Sequence, residues 1–379
     1  METLSRALLA FSLCPAVFTG CQTASPSNNF DRPSTKAKTQ TETSKLFYKA
    51  LEQGEQGDAD AQNTLGVMYE NGLGVEPDAV KAVGWYRKSA KQENAYGQAY
   101  LGKMYYYGKG VKKDEEEAFE WFTKSAEQGH STGQYNLGMM YRDGKGVKQD
   151  YSKALNWLHK SAIQGNALGQ TNLGVMYENG LGAEPDDAKA VGWYRKSAEQ
   201  GNAHGQAYLG KMYYYGKGAK KDEEKAFEWF TKSAQQGQSR SQYNLGVMYR
   251  DGKGVKQDYS KALDWLRKSA DQGYAFGQTN LGRMYDNGRG VKQDHKKAVE
   301  LYTKAAKQEN ADAQFSLGAK YWDGKGTGRD MVKCLAWWIL AAKQKHKAAI
   351  EWKIKAETNM SLEEIAKANK LSKELFNKD

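Results

Sequence analysis

The chain has 379 residues, of which 39% are hydrophobic and 27% are charged, and its formal net charge is +11. Lysine and arginine, 56 residues together, are distributed among 45 aspartates and glutamates, and no long basic run occurs. This composition disfavours charge-driven binding to nucleic acid or to an anionic membrane and favours a solvated surface of mixed charge. Three cysteines, two of them within the first 21 residues, exclude a framework of disulfide bonds.

Residues 1–20 have the features of a bacterial lipoprotein signal peptide. An apolar run at 7–18 follows Arg6 and is too short to span a bilayer stably. The run ends in a segment that resembles the lipobox, an apolar residue and two small ones before a cysteine: Val17-Phe18-Thr19-Gly20-Cys21. The alternative is an ordinary secretory signal that contains an incidental cysteine.

The lipobox resemblance implies that Cys21 is acylated, becomes the first residue of the mature chain and anchors it to a membrane. In Gram-negative lipoproteins the next position usually carries an Asp when the protein is retained in the inner membrane. Gln22 at that position therefore implies an outer-membrane lipoprotein of the bacterial envelope, facing either the periplasm or the outside.

Two short segments precede the main part of the chain. Residues 21–44 consist mostly of Ser, Thr, Asn, Gln, Lys and Pro, which predicts a flexible tether because so few apolar side chains cannot offset the entropy of ordering. Residues 45–57 have apolar side chains at helical spacing and predict a lone helix that acts as a half-repeat cap.

The dipeptide Leu-Gly recurs eight times at a spacing of 36 residues within 58–345, from Leu65-Gly66 to Leu317-Gly318. A Tyr follows each of these leucines by four positions and an Asp by thirteen. A fixed period in this range predicts an all-α solenoid built from one helix-turn-helix unit.

Within each unit the pattern predicts a helix A, a Gly-x-Gly turn and a helix B that begins after the Asp. In the first unit the predicted core consists of five large side chains: Leu65, Met68, Tyr69, Trp85 and Tyr86. Residues 346–379 predict capping helices, one of which opens with Ser361 and Glu364 as a capping box. Cys334 occupies a position that is Ala in the earlier units, so an inert buried thiol is expected.

A longer repeat is superimposed on the first. Residues 65–171 and 173–279, offset by 108, differ at only 18 of 107 positions, which indicates a tandem duplication of three units. Duplication extends a binding surface, whereas a catalytic site gains little from it. The pattern therefore favours a binding array over an enzyme.

The repeated residues carry a resemblance to the Sel1-like repeat family. The second unit shows the family pattern: Leu101-Gly102, Tyr105, Gly108-Lys109-Gly110-Val111, Asp114, Ala118 and Trp121-Phe122-Thr123-Lys124-Ser125-Ala126. Leu301 and Cys334 are the two departures from it. The resemblance implies a right-handed α/α superhelix that acts as a protein-interaction adaptor in secretion, envelope assembly, signalling or host contact, without a cofactor.

The outward side of helix A, which lines the concave side in solenoids of this class, is predicted to bind the partner. It carries aromatic side chains beside Lys or Arg, the composition of interface hot spots. The candidate residues are Lys103, Tyr106, Tyr107, Tyr135, Arg142, Lys211, Tyr214, Tyr215, Tyr243, Arg250, Phe315 and Trp322. The alternative is that half of these aromatic residues pack into neighbouring helices.

These patterns favour a lipid-anchored scaffold that binds a protein partner of unidentified nature, and they leave its oligomeric state open. An envelope glycan or peptidoglycan binder that uses the same face is the alternative. A β-lactam hydrolase is disfavoured, because the family branch with that association has a disulfide in each repeat. His130 and His159 are also replaced in the second copy, and no Ser or Cys is expected beside a base. No catalytic residue, metal or cofactor is predicted.

Overall fold

The computed structural model of the protein describes residues 35–376, and this part of the chain contains nineteen helices and no strand. Helix α1 spans Thr35–Glu55 and precedes eight A–B pairs. The A helices are α2 (Ala59–Asn71), α4 (Ala95–Tyr107), α6 (Ser131–Asp143), α8 (Ala167–Asn179), α10 (Ala203–Tyr215), α12 (Ser239–Asp251), α14 (Ala275–Asn287) and α16 (Ala311–Asp323). The all-helical repeat fold that the sequence predicts is confirmed.

Outside the fourth repeat, each A helix packs against the B helix that follows it. The B helices are α3 (Ala79–Lys91), α5 (Glu115–Glu127), α7 (Tyr151–Ile163), α9 (Asp187–Glu199), α11 (Glu223–Gln235), α13 (Tyr259–Asp271), α15 (His295–Ala306) and α17 (Met331–Lys343). Two more helices close the described chain: α18 (Lys347–Glu357) and α19 (Leu362–Phe376). None of the helices in 35–376 has the length and apolar content that crossing a membrane requires.

The contacts divide the chain into two compact units. One ends at residue 169 but includes 181–183, and the other comprises 170–180 and the residues from 184 onward. Repeats one to three lie in the first unit, and repeats five to eight lie in the second.

The turns follow from the sequence as predicted. In the first repeat the side chain of Asp78 accepts hydrogen bonds from the backbone N–H groups of Val80 and Lys81 and so caps helix α3. Gly72 ends α2 with a φ of 69°, and its N–H donates to the carbonyl of Met68.

The second glycine of each Gly-x-Gly turn has a further role. A side chain at Gly110 would overlap the backbone carbonyl of Ala79, where the B helix of the preceding repeat begins. Gly74 lies against the carbonyl of Thr43 in the same way, and Thr43 is 36 residues before Ala79. In this contact Thr43 of helix α1 therefore takes the place that the first residue of a B helix takes in the full repeats.

Helix α1 begins at Thr35, whereas the sequence predicted a tether up to residue 44 and a helix from residue 45. The segment 35–44 contains Lys, Ala, Gln and Glu, which are good helix formers, and a helix that is already nucleated by packing extends at little cost. The packing nucleus is Phe47 and Ala50, which are buried against Leu65 and Met68. The predicted signal peptide, Cys21 and the rest of the tether lie outside the described residues.

The core is a stripe that two neighbouring repeats share. Leu65, Met68 and Tyr86 are fully buried, as predicted, but Tyr69 and Trp85 are only half-buried. On helix α3 the buried stripe passes through Ala82, Tyr86 and Ala90, so the Trp beside it lies at the edge. There its ring is covered by the ammonium group of Lys88, with Nζ 3.9 Å from the ring centroid.

The C-terminal helices close the second unit with an apolar cluster. Trp338 and Cys334 of α17 are buried with Ala356 of α18 and Ala368 of α19. Burial raises the pKa of the Cys334 thiol to about 12, so the thiol stays protonated. The predicted capping box at Ser361 is present: its N–H donates to Oε2 of Glu364 over 2.8 Å.

Candidate functional site

The paired tyrosines at the end of two A helices form matching exposed features in the two units. The side chains of Tyr107 and Tyr215 are 63% and 64% exposed. Each lies edge-on against the half-buried tyrosine before it, with ring centroids 5.0 Å apart at Tyr106 and 5.1 Å apart at Tyr214. A surface of this kind offers rigid aromatic area at little entropic cost.

A lysine from the next repeat holds each pair. Lys145 Nζ donates to the hydroxyl of Tyr106 over 2.9 Å, and Lys253 Nζ donates to that of Tyr214 over 3.0 Å. The hydrogen bond to Tyr106 raises the pKa of Lys145 above its ordinary value. Both pairs are therefore held in place before any partner binds.

Lys103 and Lys211 lie between repeats rather than on a free surface. Lys103 Nζ is 2.8 Å from Oε1 of Glu70, whose carboxylate also accepts the hydroxyl of the buried Tyr86 over 2.9 Å. Burial, followed by the charge of Glu70, raises the pKa of Tyr86 well above its ordinary value. The second unit repeats this arrangement with Lys211, Glu178 and Tyr194. These two lysines therefore tie neighbouring A helices together.

The predicted Tyr–Arg pairs are half-buried, and their arginines already have partners. Arg142 Nε is 2.7 Å from Oδ1 of Asp143, and Arg250 Nε is 2.6 Å from Oδ1 of Asp251. Burial raises the pKa values of Tyr135 and Tyr243.

Phe315 and Trp322 belong to the C-terminal cluster. The ring of Phe315 stacks on Trp338 with centroids 6.0 Å apart and on His346 with centroids 4.9 Å apart. Trp322 packs against Trp338 and Trp352. These two residues therefore pack into neighbouring helices, which is the alternative that the sequence analysis left open.

One expectation about the histidines is wrong. Ser125 Oγ lies 3.2 Å from Nδ1 of His130, although no Ser was expected beside a base. The hydroxyl of Ser125 donates to the carbonyl of Ala95 over 2.7 Å, and its side chain is fully buried. Burial also lowers the pKa of His130 to about 4. The same serine bonds a helix A carbonyl in other repeats, at Ser89 for example, so its role is structural.

A glutamine ladder, which the sequence analysis missed, links the repeats. In each repeat a buried Gln of helix A accepts a hydrogen bond from a Gln at the end of helix B, as Gln206 does from Gln236 over 2.8 Å. The buried Gln206 also donates to the carbonyl of Ala198 in the preceding repeat over 3.3 Å. The signal was present, because a Gln recurs at 36-residue spacing from Gln62 to Gln314.

The second unit contains a cavity of about 300 Å³ between its A helices. Its lining residues are His204, Ala207, Tyr208, Lys211, Gln238, Ser239, Arg240, Asn244 and Tyr274. Burial, together with the charge of Arg240, lowers the pKa of His204, so the imidazole is neutral at neutral pH. Within residues 35–376, no three His, Cys, Asp or Glu side chains are grouped so that they could hold a metal ion.

These features define a helical repeat protein whose candidate sites lie along the surfaces of its A helices. The Sel1 repeat model matches the chain eight times, at 59–94, 95–130, 131–166, 167–202, 203–238, 239–274, 275–310 and 311–346. The protein belongs to the Sel1 repeat family, whose members typically mediate protein–protein interaction and typically have no catalytic activity.

Three solved structures are similar to this chain. A Sel1 repeat protein from Oxalobacter formigenes is 32% identical, covering 88% of this chain and 97% of its own, with a TM-score of 0.57. The protective antigen c5321 of uropathogenic Escherichia coli, which displays an SLR fold, is also 32% identical, covering 90% of this chain and 92% of its own, with a TM-score of 0.45. Immunity protein Pa5087 of Pseudomonas aeruginosa is 24% identical over 58% of this chain and 82% of its own, with a TM-score of 0.39. A comparison with curated proteins gave no match.

Proposed function

We propose that this protein is a scaffold of the bacterial cell envelope that binds a protein partner through the outward side of its A helices. The observation that carries the proposal is the pair of matching tyrosine sites, Tyr106 with Tyr107 and Tyr214 with Tyr215. Each site has one exposed ring held by a half-buried one, and the two sites are 108 residues apart in the sequence.

A duplicated site gives a binding advantage only when both copies are used. A partner with two matching epitopes, or one long enough to reach both sites, gains from effective concentration as well as from contact energy. Truncation of one tyrosine pair then weakens binding steeply. If the two sites bind independently, the same truncation removes only the contact energy of that pair. Each aromatic anchor at a true hot spot contributes on the order of 2 kcal/mol.

The test uses residues 22–379 as bait in an envelope extract, followed by measurement of affinity for the captured protein. The variant Y107A/Y215A should bind that protein at least tenfold more weakly at unchanged helicity. Tyr48→Ala is the matched control, because Tyr48 is 68% exposed on the cap helix α1, outside both sites. Equal affinity of Y107A/Y215A and the parent chain would exclude this surface. Sedimentation of the parent chain with purified sacculi, lost in the same variant, would favour peptidoglycan as the ligand instead.

We also propose that acylation of Cys21 anchors the scaffold to the outer membrane, on the basis of the lipobox-like segment before it. Cys21→Ser should block acylation and leave an uncleaved precursor or a soluble form. Fractionation of cells and mass spectrometry of the mature N-terminus measure this. Normal processing and equal membrane association of the variant would exclude the lipid anchor.

A further inference from the structure

The residues that line the cavity of the second unit have counterparts in the first copy of the three-repeat block. Their identities differ between the two copies more often than those of the block as a whole. Four of the nine lining residues change between the copies, against 18 of 107 over the whole block. The changes, from first copy to second, are Tyr96 to His204, His130 to Gln238, Thr132 to Arg240 and Asn166 to Tyr274. The framework beneath the cavity is the same in both, since Tyr208 stacks on Tyr194 as Tyr100 stacks on Tyr86.

The changes give the cavity of the second copy one uncompensated positive charge. No carboxylate within 35–376 lies at ion-pair distance from the exposed Arg240, whereas the nearby Arg250 and Arg283 pair with Asp251 and Asp312. Lys211 is neutralised by Glu178. None of the nine lining residues is acidic.

The neutral lining residues supply hydrogen-bond donors around that charge. The amide nitrogen of Gln238 lies 3.0 Å from Nε2 of His204, which joins two A helices across the cavity. Asn244 and Ser239 add an amide and a hydroxyl. A guanidinium surrounded by neutral donors fits a carboxylate, which it binds through two parallel hydrogen bonds.

An aromatic rim borders the same cavity. Tyr243, Tyr274 and Phe276 form a triangle with ring centroids 5.6 to 5.9 Å apart, and the side chain of Phe276 is 46% exposed. The first copy has Asn166 and Leu168 in place of two of these rings. An apolar side chain beside the bound carboxylate would therefore find two more aromatic rings in the second copy, those of Tyr274 and Phe276, than in the first.

We propose that this cavity binds an acidic side chain of the protein partner, with the carboxylate on Arg240 and an adjacent apolar side chain on Tyr274 and Phe276. The proposal rests on the proposed function in that the ligand is a polypeptide. The tyrosine sites occur in both copies, whereas this contact occurs only in the second. It would therefore fix a single register of the partner on an otherwise repeated surface.

The test is a titration of the full chain with a capped pentapeptide Gly-Phe-Asp-Phe-Gly, followed by NMR, with the Gly-Phe-Asn-Phe-Gly peptide as its uncharged counterpart. The Asp peptide should bind at least tenfold more tightly than the Asn peptide. Arg240→Thr should abolish that difference. The matched variant is H204Y/Q238H/R240T/Y274N, in which every new residue is the one that the first copy has at the same position, so that the fold is retained.

Equal binding of the two peptides, or unchanged discrimination in Arg240→Thr, would overturn the proposal, as would the absence of binding to the parent chain. Discrimination that persists in the four-residue variant would place the site elsewhere and overturn it too. None of these results affects the tyrosine sites, because Tyr107 and Tyr215 are intact in every variant. Failure of this inference is therefore distinguishable from failure of the proposed function.

Discussion

The two copies of the three-repeat block are identical at the residues that hold the helices together and differ at several residues around one cavity. Residues of the framework are the same in both: the Leu-Gly dipeptides, the Asp caps, the glutamine ladder and the ion pairs of Glu70 and Glu178. Five of the 18 differences lie instead in the lining of one cavity or in its aromatic rim: those at Tyr96/His204, His130/Gln238, Thr132/Arg240, Asn166/Tyr274 and Leu168/Phe276.

Each repeat contacts mainly its neighbours, so the side chains that make those contacts are constrained in every copy. An exposed position at the start of an A helix has no such constraint, and a change there alters the surface without altering the stack. The comparison therefore separates residues that form the array from residues that alter its surface, and four predictions test that separation.

The largest effect is expected at the second glycine of a turn. Gly110→Ala should destabilise the protein by about 2–4 kcal/mol, because the new methyl group overlaps the carbonyl of Ala79 and the φ of 66° is unfavourable for Ala. Gly218→Ala should have an equal effect in the second copy, where the overlap is with Asp187. Thermal and denaturant unfolding followed by circular dichroism measure both.

Gly84→Ala and Gly192→Ala are the matched controls, because these helical glycines have no atom within 4 Å of the added methyl group. They should stabilise the protein by about 0.5–1 kcal/mol. A turn variant that is as stable as its control would contradict the role assigned to the close backbone contact.

The second effect is a pH dependence of stability that arises from His130 in the first copy. Burial holds the pKa of His130 at about 4, below the ordinary value of 6.5, so the unfolded chain binds a proton there that the folded chain does not. Stability should therefore fall by on the order of 1–3 kcal/mol as the pH falls from 6.5 to 4. His130→Gln, which introduces the residue of the second copy, should remove that part of the pH dependence.

The measurement compares denaturant unfolding of the parent chain and His130→Gln at several pH values between 7 and 4. His159→Arg, also taken from the second copy, serves as the control and should leave this contribution in place. Parallel pH profiles for the parent and His130→Gln would show that the imidazole is protonated freely in the fold.

The third effect concerns the buried carboxylates that join neighbouring A helices. Glu70→Gln should cost about 1–2 kcal/mol, because Lys103 loses its ion-pair partner and Tyr86 keeps only a weaker acceptor. Glu178→Gln should cost the same, within error, in the second copy. Chemical denaturation measures both, and a clear inequality between them would contradict equivalence of the two frameworks.

The smallest effect is expected at Cys334, which lies outside both copies. Thermal unfolding should be the same with and without dithiothreitol, since the thiol is buried and its pKa is raised to about 12. A substantial fall in melting temperature with the reductant would reveal a covalent contact, such as a disulfide between two chains.

Much of the fold was predictable because its determinants are local and repeated eight times. Asp78 caps a helix through its own side chain, and Gly72 ends one by its own φ, so neither depends on distant residues. The start of α1 was placed ten residues too late, at 45 instead of Thr35. Composition reports whether a segment can fold alone, but not whether a packed neighbour extends a helix into it.

The sequence by itself determined the family, the repeat period, the number of repeats and the tyrosine pairs. Only the tertiary structure decided which candidate side chains are available: Lys103 is bound to Glu70, and Phe315 and Trp322 pack in the C-terminal cluster, whereas Tyr107 and Tyr215 remain exposed. The physical reason is that helical periodicity specifies the side of a helix on which a residue lies. What meets that side depends on residues of other helices, which for Lys103 and Glu70 are 33 positions apart in the sequence.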